Sequence, residues 1–176
     1  TTGATAGDIL FNDTVNATSA GVETLGLTAG TGSIDFNGIV GGTTKLGAVT
    51  ITSAGTVDVD ANLTAAGLTV TTATTFDSSG FTITTTGANE AVGGDVNITT
   101  TGQLTTGALT TTGGTDSGAD GGHAAGAITL SGGDVNAGAL TATGSAAAGG
   151  GAAGGAGGAI TITATDGTPT ITLSGN

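Results

Sequence analysis

Asp116, Asp120 and His123 fall within eight residues of one another in the stretch TDSGADGGHAAG (115–126). Two carboxylates beside an imidazole can ligate a divalent cation. Their spacing is neither that of an EF-hand loop nor that of the G-G-x-G-x-D calcium repeat. A second acidic group, Asp58 and Asp60, stands in D-x-D-x-N ending at Asn62. It lacks the glycine and distal glutamate of a calcium loop, and alternation with Val57 and Val59 sets both aspartates on the outer face of a strand. Calcium is the ion these groups would take; no other cofactor is expected.

Catalysis finds little to work with. The chain has one His, no Cys and no G-x-S-x-G elbow, and Lys45 is its only lysine or arginine. Paired carboxylates could serve glycoside hydrolysis, but without Trp or Tyr there is no usual platform on which a sugar ring stacks. The chain therefore reads as a non-enzyme. One recurrent polar feature remains, the T-x-T pairs Thr50/Thr52, Thr69/Thr71, Thr82/Thr84, Thr141/Thr143 and Thr161/Thr163. Stacked in flat ranks, such pairs would form the hydroxyl and methyl lattice of an ice-binding surface. Threonine is also a favourable outward residue on any solvated strand.

These residues need elements to hold them, and composition limits the choice. The 176 residues include 37 Gly and only four Phe, and Leu, Ile, Val and Phe together number 35. With a net charge of −12, that borders on the composition of disordered chains, so the spacing of the apolar residues has to decide. A chain with one lysine cannot neutralise a row of phosphates, which excludes nucleic acid and anionic membrane as partners. The most apolar run, GSAAAGGGAAGGAGGAI (144–160), is too poor in side-chain surface to insert into a bilayer.

Internal repetition supplies the order. GDILFNDTVNATSAGVETLGLTAGT (7–31) and GSIDFNGIVGGTTKLGAVTITSAGT (32–56) are each 25 residues long and share the frame G-x-I-x-F-N…T…A-G-T. Apolar residues alternate at period two. Ile9/Phe11, Ile34/Phe36, Val57/Val59, Val96/Ile98, Ile128/Leu130 and Ile160/Ile162 read as one series; Leu25/Leu27, Val49/Ile51, Leu68/Val70 and Phe81/Ile83 read as a second. Strands this short bury a core only when stacked, each inward residue above its counterpart at about 4.8 Å. The pattern predicts an all-β parallel β-solenoid of about seven coils over residues 1–176, a single domain. An antiparallel sandwich of short strands is the other arrangement this composition permits. Two Gly-rich insertions, 115–126 and 145–158, follow the same strand in successive units and should lie side by side on one edge.

Units such as GSIDFNGIVGG, LGAVTITSAGTVDVDANLTAAGLTV and ITTTGQLTTGALTTTG resemble the repeats of filamentous-haemagglutinin-like and autotransporter-type bacterial surface proteins. The resemblance implies a right-handed parallel β-helix, export to the cell surface or beyond it, and adhesive or scaffolding work, with cell-surface or matrix glycans as candidate partners.

Neither end of the sequence reads as capped. Ile9 and Phe11 form a full core pair at the start, and Ile171 and Leu173 form another at the end. Setting ITLSGN before TTGATAGDILF gives a junction like the internal ITTTGANEAVGGDVNI (83–98). Ile83 to Asp95 is 12 positions, and Ile171 to Asp8 of a following copy is 13. The expectation is a structural unit of an extracellular filament, sheath or adhesin stalk that joins its own copies end to end. A ligand-binding solenoid, for ice or glycan, is the alternative.

Overall fold

The computed structural model describes residues 7–118, 121–149 and 151–175. Among them there is no helix. The twelve strands are β1 (Ile9–Phe11), β2 (Leu25–Thr28), β3 (Ser33–Phe36), β4 (Leu46–Val59), β5 (Leu63–Thr84), β6 (Val96–Thr100), β7 (Leu104–Thr110), β8 (Ile128–Gly132), β9 (Val135–Ala137), β10 (Leu140–Thr141), β11 (Ile160–Ala164) and β12 (Ile171–Leu173). They form one sheet that does not close on itself, with the path β1-β3-β4-β5-β6-β8-β11 and branches through β2, β7, β9, β10 and β12. Every pairing is parallel, which rules out the antiparallel sandwich.

The registers resolve into vertical files of like residues. In the first file Ile9, Ile34, Val57, Phe76, Leu104, Val135 and Ile171 stand one above another, seven strands deep. In the second, Leu25, Val49, Leu68, Val96, Ile128 and Ile160 do the same. A third runs through Ile83, Leu109 and Leu140, and isolated bridges link Val15, Val40 and Leu63. The 25-residue frame reappears in detail at its first two units. Phe11 lies on Phe36 with ring centroids 4.9 Å apart and planes within 4°, and Asn37 Nδ2 donates to Asn12 Oδ1 at 3.2 Å.

The two apolar series expected from the sequence part company with these files halfway up. Val96/Ile98, Ile128/Leu130 and Ile160/Ile162 continue the second file, above Leu68/Val70, not the first. The first file runs on through Phe76 and then through Leu104 and Val135. Ile83 belongs to the third file. The cause is the varying return length: the chain comes back to the first file after 19 residues between Val57 and Phe76 but after 36 between Val135 and Ile171. A fixed-frame alignment therefore slips.

The inward members of these files make one continuous core, with Ile34, Val57, Leu104, Ile128 and Val135 wholly buried. Each such side chain contributes about 1.5–3 kcal/mol. Two hydroxyls, Ser78 Oγ and Thr106 Oγ1, are buried in this core with no hydrogen-bond partner among the described residues. They face each other across the β5–β7 pairing.

Candidate functional site

Three successive excursions leave the sheet at one corner. The chain departs after Thr85, Thr111 and Ala142 and returns at Gly94, Gly126 and Gly158, whose amides donate to the carbonyls of those three residues at 2.7, 3.0 and 3.0 Å. The bases of the first two are pinned twice. Thr85 Oγ1 donates to the Gly94 carbonyl at 2.6 Å and Thr111 Oγ1 to that of Gly126 at 2.7 Å, and both threonines are fully buried. Gly suits the return points because there one backbone presses on the next. A Cβ on Gly126 would stand within 3.0 Å of the Gly94 oxygen, and one on Gly158 would stand equally close to that of Gly126.

The excursions stack on one another as the strands do. Gly87 N donates to Thr112 O at 2.9 Å and Glu90 N to Thr115 O at 3.0 Å, while Ser145 N donates to His123 O at 2.9 Å and Ala125 N to Ala156 O at 3.0 Å. The two Gly-rich insertions thus lie side by side. Beneath them is a shorter excursion, 86–93, that does not stand out in the sequence because it carries no long Gly-rich run.

This stacking gathers Glu90, Asp116 and His123, one ligand atom from each lying within 4.8 Å of the others. His123 Nε2 is 3.1 Å from Glu90 Oε2. The second Glu90 oxygen accepts from both the amide and the hydroxyl of Ser117. Those bonds, with the His123 contact beside them, hold the Glu90 carboxyl down at about 2. Asp116 Oδ1 accepts from Gly118 N at 2.9 Å and Oδ2 from Ala148 N at 2.8 Å. Glu90 takes a left-handed backbone, φ 58°, unusual for a residue with a Cβ. Asp116 and His123 are thus brought close together, Asp120 lies outside the described residues, and Glu90 is the member that the sequence does not single out. Aligning ITTTG (83–87) with ALTTTG (108–113) on the shared T-T-T-G would have exposed the matching excursion.

Asp58 and Asp60 lie elsewhere. Asp58 stands outward on β4, in register between Asp35 and Asp77. Partial burial first, then the charges of Asp60, Asp77 and Asp35, raise its carboxyl above the ordinary aspartate value. A raised folded-state value means that the folded protein holds this proton to higher pH than the unfolded chain does. The resulting strain is present above that value and is relieved as pH falls through it. Asp58→Asn should accordingly stabilise the protein at pH 7 by a few tenths of a kcal/mol, the lower part of the roughly 0.2–1 kcal/mol scale of a cross-strand pair, because solvent screens this largely exposed group. The gain should vanish once the pH is low enough to protonate Asp58 in the parent; denaturation midpoints of both proteins across pH 3–7 measure it.

The ten threonines do not form one rank. Thr50, Thr69 and Thr161 share an outward rank with Asn97 and Thr129, whereas Thr84 and Thr141 flank Thr110 in the third file and Thr82 lies opposite Ala108. Thr52, Thr71 and Thr163 lie two residues beyond the first rank, and Thr143 lies in the third excursion. Register shifts interrupt the ladders at Leu27/Thr28, Val70/Ala73 and Ser78/Thr82. Lys45 donates to the Thr86 carbonyl at 2.9 Å, and burial lowers its pKa.

At the two ends of the files, Ile9 and Phe11 are partly buried, while Ile171 and Leu173 are exposed by 51% and 61%. Ile171 stands in the same file as Ile9, whereas Ile83 and Val96 stand in different files. The connection 83–98 is therefore no template for a direct join of one copy to the next.

Comparison with protein-family models, with curated proteins and with solved structures finds no match to the chain.

Proposed function

We propose that this protein is a structural unit: a right-handed parallel β-helix of about seven coils that stacks end to end on its own copies, building an extracellular filament, sheath or adhesin stalk. One observation carries the reading. The apolar files are wholly buried at Ile128 and Val135, yet one strand further on, at Ile160 and Ile171, the same files are exposed by 45% and 51%. The upper edges of β11 and β12 have no strand partner among the described residues, so a further parallel strand would satisfy both the backbone and the core. Repetition of such a head-to-tail contact gives an open filament, and the chain's net charge of −12 opposes sideways clumping.

Sedimentation velocity and electron microscopy of the purified chain over a wide concentration range provide the test. Thin rods that lengthen with concentration are expected, with an axial strand repeat near 4.8 Å. Ile171→Asp with Leu173→Asp should abolish them while leaving the circular dichroism spectrum unchanged. Monodisperse monomers at every concentration would overturn the reading.

A further inference from the structure

We propose that Glu90, Asp116 and His123 form a binding site for a divalent first-row transition ion, zinc foremost, which clasps the three stacked excursions together. The donor set is one imidazole nitrogen and two carboxylates, drawn from two different excursions. An imidazole ligand selects for zinc and its neighbours, whereas calcium takes oxygen ligands. That refines the calcium expected from the sequence.

Three ligand atoms about 2.1 Å from a tetrahedral ion would stand about 3.4 Å apart. Here they already lie within 4.8 Å, so side-chain rotation alone closes the set. Both carboxylates are also oriented from behind, as metal ligands usually are. Ser117 holds Glu90; Gly118 and Ala148 amides hold Asp116. The His123 backbone is held at both its groups: its amide donates to Ser145 Oγ at 2.8 Å, and its carbonyl accepts from Ser145 N. Because a carboxylate oxygen has two lone pairs, these bonds leave capacity for a metal. The ion would sit between the 3.1 Å partners His123 and Glu90, replacing their contact with two coordinate bonds. Through Asp116 and its Ala148 bond the link reaches the third excursion. Three protein ligands leave a fourth position for solvent.

The test uses the full chain, stripped of metal with a chelator, then titrated with zinc chloride by calorimetry. His123 is the only histidine, so its ring resonances report the site without ambiguity. The expected result is one zinc per chain, a shift of those resonances that saturates at the same ratio, and at least tenfold weaker binding in both His123→Ala and Glu90→Gln. Calcium should leave the resonances where they are. Zinc uptake that does not saturate, or that is unchanged in both variants, would overturn the proposal and leave a simple His–Glu hydrogen bond. Circular dichroism of each variant shows that any loss is of binding and not of fold.

Discussion

Phe76→Ala should lower the unfolding free energy by about 3–5 kcal/mol, the cost of emptying a fully packed aromatic site. Phe76 is 1% exposed and stands in the first file between Val57 and Leu104. Its place cannot be filled by sliding a neighbour, because each neighbour is tied through its own backbone to the strands above and below. The chain has so few large apolar residues that the site is a sizeable share of the core. It has no Trp or Tyr, so chemical denaturation followed by far-ultraviolet circular dichroism is the suitable measurement. A loss below about 1 kcal/mol would show that the file collapses around the gap and is less rigid than its registers imply.

Gly126→Val is expected to cost about 3 kcal/mol, the upper end of the range for overpacking. The added Cβ comes within 3.0 Å of both the oxygen and the carbonyl carbon of Gly94, and neither can swing aside as a side chain would. The same Gly94 carbonyl accepts the Thr85 hydroxyl, and the Gly126 carbonyl accepts that of Thr111, so a shift disturbs two pinned excursions at once. Gly26→Ala is the matched control. Gly26 lies exposed in β2 with no atom within 4 Å of a built Cβ, so its substitution should stay within about 0.5 kcal/mol. Comparing the two denaturation curves separates close approach from the general cost of losing a glycine.

How much of the fold is legible in the sequence depends on the residue. Phe11 over Phe36 and Asn12 beside Asn37 follow directly from the 25-residue frame, because there the return length is constant. Asn62, the next in that series, bonds differently, its Oδ1 accepting the Thr82 amide at 2.9 Å. The alternating pairs identify which side of its own strand each residue faces. Leu104 and Val135, which belong to neither alternating series, carry the first file upward. The closing ITLSGN echoes ITLSGG at 128–133, yet Ile171 stacks on Val135 while Ile128 stacks on Val96. Identical letters took different files.

By itself the sequence determined an all-β chain, since branched side chains at period two with Gly and Asn between them suit strands, but the short strands it implied run together in β4 and β5, which span 14 and 22 residues. It also determined that such strands must stack to bury anything. Only the tertiary structure decided which strand lies on which, and hence which polar residues meet. Alternation is a local property, fixed by the pleat, but stacking depends on how many residues each return consumes, from 19 to 36 here. Glu90 joins Asp116 and His123 because three excursions of unequal length leave from one corner and are held in layers by backbone hydrogen bonds, a proximity that no spacing along the chain encodes.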